Sequence, residues 1–131
     1  MTQQPSISVT IITYNEEHNL SRAIQSVQWA DEIVVVDSGS TDRTRQVAES
    51  FSEKLRVRFI HNSWQGYGQQ KNFAQKQARN NWVLNIDADE EVTKELYQEI
   101  QESLSYLNSE VKGFSFPRKT YYLGKWVKYG G

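Results

Sequence analysis

Short apolar runs alternate with segments of helical periodicity from residue 7 to residue 107. The runs rich in β-branched residues are typical of buried strands, and they lie at Ile7–Thr13, Glu32–Val36, Val57–Ile60 and from Trp82 onward. Alternating strands and helices form right-handed crossovers, and continuously apolar strands are covered on both faces. The pattern therefore predicts an α/β fold, a three-layer sandwich with a mostly parallel central sheet.

Apolar residues three and four positions apart predict a helix after each strand. The helical faces are Leu20, Ala23, Ile24 and Val27; Val47, Ala48 and Phe51; a third helix from about Gln69 to Ala78; and Leu96, Ile100, Leu104 and Leu107. The predicted N-caps are Asn15, then Ser40 or Thr41, and Thr93. Glu90 and Glu91 are expected to begin the last helix, because acids suit a helix N-terminus.

Residues 111–131 differ from the rest of the chain in charge and in aromatic content. The last acid is Glu110, and the ten bases and 16 acids up to that residue give a net charge of about −6. We expect further strands here, with a hairpin as one arrangement and Gly124 near its turn. The segment could bind a phosphorylated or lipid-linked acceptor, lie on an anionic membrane, or form core strands whose covering half is absent. We favour the third interpretation.

A chain of 131 residues with 37% hydrophobic content is long enough for one globular domain. Residues 1–6 are polar and are expected to be a flexible leader. The absence of cysteine excludes a disulfide scaffold, a thiolate metal site and a cysteine nucleophile. No secretory signal or membrane span is present, so we expect a cytoplasmic protein, with the inner face of the membrane as its one candidate contact surface. We expect no nucleic-acid partner.

The apolar run that begins at Trp82 ends in Asp87-Ala88-Asp89-Glu90. Residues two apart in an extended chain project to the same side, so Asp87 and Asp89 can face one point, and the small Ala88 leaves room beside them. Two carboxylates suit Mg²⁺ or Mn²⁺, which keep coordination positions for water and phosphate. The alternative is an acidic turn before a helix, which is the more common meaning of an isolated Asp-x-Asp.

Polar clusters follow three of the predicted strands: Thr13–Glu16, Asp37–Ser40 and Asp87–Glu90. Ligands of such sheets bind at the carboxyl ends of the strands. Tyr14 offers a ring for stacking on a ligand. The alternative is that this ring does no more than pack against the edge of the sheet. Asp37 can accept hydrogen bonds from a base or ribose, or it could simply close a turn. Together the clusters predict a nucleotide-diphosphate site, and neither a dinucleotide fingerprint nor a P-loop motif is present.

These clusters, in this order and with Gly68-Gln69-Gln70-Lys71-Asn72 before the third helix, resemble the signatures of family 2 glycosyltransferases of the GT-A, Rossmann-like fold. The resemblance extends over residues 7–129. Tyr121–Trp126 is similar to the subgroup that extends lipopolysaccharide cores.

The resemblance implies roles for individual positions of this chain. It places Thr13, Tyr14, Glu16, Asp37, Ser38, Lys71, Asp87 and Ala88 at the nucleotide sugar, and Asp87 and Asp89 at a divalent metal. Within this set Asp37 contacts a uracil-type base, Asp87 the ribose and pyrophosphate, and Lys71 the diphosphate.

The implied activity is inverting transfer of a sugar from a nucleotide-diphosphate sugar, with UDP as the expected nucleotide. The implied acceptor is a saccharide or lipid-linked saccharide of the cell envelope, and the cofactor is Mn²⁺ or Mg²⁺. The catalytic base is expected beyond residue 131, on an acceptor half. The alternative is a non-catalytic nucleotide-sugar-binding or interaction module. A glycoside hydrolase is disfavoured, because Asp87 and Asp89 are too close to flank a bond.

Overall fold

The computed structural model describes residues 5–105, 113–115 and 122–125, which include a six-stranded sheet in the order β3-β2-β1-β4-β6-β5. The strands are β1 Ile7–Thr13, β2 Glu32–Asp37, β3 Val57–His61, β4 Trp82–Asp87, β5 Gly113–Ser115 and β6 Tyr122–Lys125. The first four are parallel, whereas β6 pairs antiparallel with both β4 and β5. The predicted mostly parallel sheet and the antiparallel C-terminal pair are both confirmed.

The helices of the described residues are α1 Leu20–Ser26, α2 Thr44–Glu49, α3 Ser52–Leu55, α4 Tyr67–Gln77 and α5 Lys94–Ser105. The helix predicted around Val47–Phe51 is instead two short helices. The hydroxyls of Ser50 and Ser52 donate to the carbonyls of Val47 and Glu49, at 2.6 and 2.9 Å. Such side-chain bonds compete with the helical ladder, which explains the break.

The core has two parts, one on each face of the sheet. The larger part includes Val9, Ile11 and Leu84 from the sheet together with buried residues of α1, α2 and α5. The smaller part contains Val34 and Val36 of β2 and Ala74 of α4, with Ile60 and Phe73 packed against them. Helices therefore cover both faces, and the three-layer prediction is confirmed, with α4 alone on the second face among the described helices.

Two of the three predicted N-caps are wrong. Asn15 lies before α1 in the left-handed region, at φ 52°, and Asn19 occupies the N-cap position. Arg43, rather than Ser40 or Thr41, precedes α2. Thr93 is confirmed, because its hydroxyl accepts the Leu96 amide at 3.1 Å. The first two predictions fail because the capping-type side chains bond to a neighbouring loop, as described below.

Three other boundaries differ from the predictions. Helix α4 begins at Tyr67, two residues earlier than expected, after Gly66 at φ 112°. Glu90 and Glu91 precede α5, which starts at Lys94. Gly124 lies within β6 opposite Val83, and not at a turn. Leu107 lies outside the described residues.

Where the parallel strands begin, a buried carboxylate ties four segments together. We call this side the amino edge. Glu32 accepts hydrogen bonds from the Ser8 hydroxyl at 2.7 Å, from the Arg79 amide, and from Arg58 Nη2 at 3.2 Å. Arg58 Nη2 also donates to the carbonyl of Gln77 at 2.5 Å. The carboxylate is thus satisfied by the protein itself, as a buried charge must be.

No helix within residues 5–105 combines the length and apolar character that a bilayer crossing requires, and the other described residues form no helix.

Candidate active site

The carboxyl ends of β2, β1 and β4 lie side by side. Strand register places Thr13 opposite Asp37 on one side of β1, and Ile12 opposite Asp87 on the other. The amides of Ser38 and Ala88 continue both ladders by donating to the Thr13 and Ile12 carbonyls, at 3.3 and 3.2 Å. The structure therefore brings the three predicted clusters to one edge of the sheet, which we call the carboxyl edge.

Asp37 holds the loop that follows β2. Its Oδ2 accepts the amides of Gly39 and Ser40, at 2.9 and 2.7 Å, and its Oδ1 accepts the Ser40 hydroxyl at 2.5 Å. Only 3% of Asp37 is exposed, and Gly39 has φ 118°, a conformation that favours glycine. Asp37 therefore closes a turn, which was the alternative to ligand binding considered from the sequence. Contact of Asp37 with a base stays a prediction.

The loops after β1 and β2 are joined by a set of hydrogen bonds that we call the loop clamp. The Asn15 amide donates to the Ser40 hydroxyl at 2.7 Å, and Asn15 Oδ1 accepts the Thr41 amide at 2.8 Å. The Glu16 amide donates to the Thr44 hydroxyl at 2.9 Å. Because the clamp fixes the backbone on the C-terminal side of Tyr14, it restricts where that exposed ring can lie.

The side chains of Thr13 and Glu16, both predicted to line a nucleotide pocket, have different environments. Glu16 Oε2 accepts the Asn19 side-chain amide at 2.9 Å. The Thr13 hydroxyl is buried and has no hydrogen-bond partner among the described residues. An unpaired buried hydroxyl is energetically unfavourable. The Thr13 hydroxyl is therefore a polar group at the carboxyl edge that could bond to a group outside the described residues.

Tyr14, Ser38 and Trp64 line an apolar cleft of about 470 Å³. The rings of Tyr14 and Trp64 are 54% and 53% exposed, although neighbouring strand residues are fully buried. Large exposed rings beside a cleft are suited to stacking on a flat ligand. Trp64 was not predicted from the sequence. The available signal was a tryptophan within a polar loop, directly before the Gly66-Tyr67-Gly68 turn.

At the end of β4, Asp87 is half-buried and Asp89 is exposed. The Asp87 amide donates to Glu90 Oε1 at 2.7 Å, and the Glu90 amide donates to the Asp87 carbonyl at 3.0 Å, so this segment is a tight turn. Ala88 is 2% exposed because its side chain packs in the larger core. Contact of Ala88 with a ligand would therefore be made through its main chain.

Helix α4 adds two side chains to this acidic turn. The Tyr67 hydroxyl donates to Asp87 Oδ1 at 3.0 Å. Partial burial, together with the carboxylates of Asp87, Glu90 and Asp89, raises the pKa of Tyr67 to about 12. Lys71 Nζ lies 5.6 Å from the centre of the Tyr67 ring, within the range of a cation–π contact. Lys71 therefore lies beside Tyr67, and its contact with a diphosphate stays a prediction.

Within the described residues, no cluster of three or more His, Cys, Asp and Glu side chains is arranged to hold a metal. The pair Asp87 and Asp89 nevertheless supplies two hard oxygen ligands at a strand end. Mg²⁺ and Mn²⁺ commonly take one or two carboxylates and complete their coordination with water and substrate phosphates. The donor set therefore fits such a cation, provided that a phosphate ligand is present.

The sheet order and the loops at its carboxyl edge define the GT-A class of α/β domains. The structure matches Staphylococcus aureus TarS 1–349 in complex with UDP-GlcNAc with a TM-score of 0.67 and 31% identity, covering 76% of this chain and 31% of that one. It also matches the mannosyltransferase PcManGT of Pyrobaculum calidifontis with a TM-score of 0.71, covering 90% and 38% of the two chains. That second likeness, at 24% identity, shows the fold alone.

The model of glycosyl transferase family 2 matches residues 8–129, and the chain belongs to that family. It is 40% identical over 119 residues to LpsC, a lipopolysaccharide core biosynthesis glycosyltransferase of Rhizobium meliloti, covering 90% of this chain and 44% of that protein. It is 52% identical over 96 residues to a glycosyltransferase of Rickettsia bellii, covering 72% and 31%. The chain thus spans less than half the length of these relatives.

Proposed function

We propose that this chain is the donor-binding part of a glycosyltransferase that takes a UDP-sugar and transfers the sugar with inversion. The acceptor we propose is a saccharide or lipid-linked saccharide in cell-envelope polysaccharide synthesis. Membership of family 2 supports glycosyl transfer, and the similarity to LpsC supports the envelope pathway. The TarS complex with UDP-GlcNAc supports the choice of nucleotide.

One observation carries the proposal. An aromatic cleft and an acidic turn lie on the same edge of the sheet, after the four adjacent parallel strands β3, β2, β1 and β4. A nucleotide diphosphate needs both features, because its base is flat and apolar on its faces and its phosphates are anionic. Tyr14, Ser38 and Trp64 would hold the base, and Lys71 would approach the phosphates.

Asp87 and Asp89 would hold Mn²⁺ or Mg²⁺ in this arrangement. When bound, such an ion supplies Lewis-acid stabilisation of the charge on a departing diphosphate. The chain's own residues bind and orient the donor, and they contribute to the rate only where they bind the transition state more tightly than the ground state. Lys71 adds a positive charge whose attraction strengthens as the leaving group becomes more anionic.

The direct test is the melting temperature of the protein with UDP, GDP, CDP and ADP, each with and without Mn²⁺. We expect UDP with Mn²⁺ to stabilise most. A ligand at about 100 times its Kd contributes about 2.7 kcal/mol, which corresponds to a shift of several degrees. Asp89→Ala should remove the Mn²⁺-dependent part of the shift, because it deletes a proposed ligand, and should leave the shift by UDP alone.

Two results would contradict the proposal. An equal response to all four diphosphates would show that the cleft does not select a base. An unchanged Mn²⁺-dependent shift in Asp89→Ala would show that the metal assignment is wrong. Glu99→Ala, which removes a carboxylate from α5, is the matched control and should respond as the parent does.

A second candidate function is binding of the nucleotide sugar without catalysis. Asp37, Glu16 and Glu90 all lie near the carboxyl edge, and each carboxylate accepts hydrogen bonds from nearby groups of the protein. None of them is therefore assigned as the base that activates an acceptor hydroxyl. Assays of sugar transfer and of donor hydrolysis separate the two functions, since the binding module shows neither while keeping the UDP-dependent shift.

The cytoplasmic location and the membrane contact stay predictions. The basic and aromatic positions on which the membrane interpretation depends lie largely at 116–121 and 126–131, outside the described residues.

A further inference from the structure

Tyr67 makes a contact for which the site assignment above gives no reason. It is the first residue of α4, and its hydroxyl reaches across to the end of β4 to donate to Asp87 Oδ1 at 3.0 Å. We propose that Tyr67 is a positioning residue, which orients the Asp87 carboxylate toward the metal-bridged diphosphate of the donor. This inference rests on the proposed function.

Asp87 is restrained at two points, whereas Asp89 is not. Its amide is held by Glu90 Oε1 at 2.7 Å, and its side chain is held by Tyr67. Asp89 is exposed and accepts no hydrogen bond from another described residue. A carboxylate fixed by an outer hydrogen bond loses less rotational freedom when it binds a metal, which is why such partners raise metal affinity. Asp87 would therefore be the pre-oriented ligand of the pair, whereas Asp89 has no such restraint among the described residues.

Gly66 and Lys71 define the surroundings of Tyr67 on α4. Gly66, at φ 112°, sets the direction in which the chain enters α4, and Tyr67 follows immediately. Lys71 lies one turn later on the same helix face, with its ammonium 5.6 Å from the centre of the ring. The first turn of α4 thus brings a positive charge to the ring whose hydroxyl contacts Asp87, and a positive charge nearby suits an anionic ligand.

The hydrogen bond leaves Asp87 able to bind a ligand. An ionised carboxylate has two oxygens and about four acceptor sites, of which the Tyr67 hydroxyl occupies one. Tyr67 therefore acts by orienting the carboxylate and does not block it. The two roles predict opposite changes in affinity. An orienting contact strengthens Mn²⁺-dependent binding of UDP, and a blocking contact weakens it.

The test is the affinity for UDP of the parent and of Tyr67→Phe, measured by calorimetry with and without Mn²⁺. Tyr67→Phe keeps the ring next to Lys71 and removes only the hydroxyl. We expect UDP to bind about fivefold more weakly in the presence of Mn²⁺, which corresponds to one hydrogen bond of about 1 kcal/mol, and to bind equally in its absence. Tyr97→Phe, whose ring packs against Trp29 with 5.1 Å between centroids, is the matched control and should leave both affinities unchanged.

Each other outcome overturns the inference in a distinguishable way. If the parent itself shows no Mn²⁺-dependent binding of UDP, the proposed function fails and the role of Tyr67 fails with it. If the parent binds and Tyr67→Phe matches it, the hydroxyl does not position Asp87. Tighter Mn²⁺-dependent binding by Tyr67→Phe would show that the contact blocks the ligand. An equal loss with and without Mn²⁺ would show that Tyr67 only supports the fold.

Discussion

The two edges of the sheet both carry carboxylates, and they place them in opposite situations. At the amino edge, Glu32 is 7% exposed and has three partners in the protein. At the carboxyl edge, Asp89 is exposed and Asp87 is half-buried with one side-chain donor, Tyr67. The Glu32 carboxylate is thus paired within the protein, whereas Asp89 is accessible to a ligand and Asp87 keeps further acceptor sites.

Aromatic residues sharpen the contrast. The exposed rings of Tyr14, Trp64 and Tyr67 all belong to loops or a helix start at the carboxyl edge. Among the described residues no comparable exposed ring lies at the amino edge, although a cleft of about 550 Å³ is present there beside Arg56, Arg58 and Arg79. Volume alone therefore does not distinguish the edges. What distinguishes the carboxyl edge is the presence of accessible carboxylate oxygens next to exposed aromatic rings, and this combination suits a nucleotide.

The largest expected effect concerns the amino edge. Glu32→Ala leaves the Arg58 guanidinium without its carboxylate and the Ser8 hydroxyl and Arg79 amide without their acceptor. We expect the free energy of unfolding to fall by about 3 kcal/mol, measured by urea denaturation, because removing one partner of a buried pair uncovers an uncompensated charge. Affinity for UDP with Mn²⁺ should not change, since the carboxyl edge is untouched.

The control for this substitution is Glu49→Ala, which removes a carboxylate from an exposed pair with Arg45 at 3.5 Å. Exposed pairs are worth little, so this variant should lose less than about 0.5 kcal/mol. A loss of similar size in both variants, or a loss of UDP binding in Glu32→Ala, would contradict the assignment of structural and ligand-binding roles to separate edges.

The next effect is on binding at the carboxyl edge. Trp64→Ala should weaken UDP binding by about 1–2 kcal/mol, or about 5–30-fold by calorimetry, because it removes one proposed stacking wall of the cleft. Stability should be unchanged, as the ring is half exposed. Trp64→Phe keeps an aromatic face and should recover part of the affinity. If alanine and phenylalanine behave alike, the ring does not stack on the base.

The contrast between the edges also explains which features were predictable. The strands follow from short apolar runs, because a parallel strand that is covered on both faces requires apolar residues at nearly every position. Strands β1 and β2 are the clearest cases, since every residue of Ile7–Thr13 and Glu32–Asp37 is buried. The gathering of Thr13, Asp37 and Asp87 at one edge then follows from the parallel topology.

The loop interactions were not predictable in the same way. The capping rules applied to Asn15 and Ser40 consider only the following few residues, but these side chains bond to each other's loops across 25 and 26 positions of sequence. Tyr67 contacts Asp87 across 20 positions of sequence, because the fold brings the start of α4 to the end of β4. Local pattern carries no information on such long-range pairings, so the contact of Tyr67 with Asp87 was missed.

A smaller effect is expected from breaking the loop clamp. Asn15→Ala removes the acceptor of the Thr41 amide and places a residue with a Cβ, but without a local hydrogen bond, at φ 52°. We expect a loss of about 1 kcal/mol in the free energy of unfolding and slightly weaker UDP binding, since Tyr14 is no longer fixed. Asn15→Gly tolerates the left-handed backbone conformation, so its loss of stability measures the missing hydrogen bond without the backbone strain. A variant that loses stability but keeps full affinity would show that the clamp does not position Tyr14.

The smallest expected effect is a pH dependence of the loop clamp, to which Asp42 also belongs because its Oδ2 accepts the Glu17 amide at 3.2 Å. Burial raises the pKa of Asp42, but hydrogen bonds from Thr44 and from the Glu17 amide outweigh it and hold that pKa below its usual 3.8. A lowered folded-state pKa means that the stabilisation is complete above about pH 4 and is lost as the pH falls through the folded value. The melting temperature of the parent minus that of Asp42→Asn should therefore be larger at about pH 6 than at about pH 2.5. The subtraction cancels the other carboxylates, including Glu32 at the amino edge, and a constant difference would show that the charge of Asp42 does not stabilise the clamp.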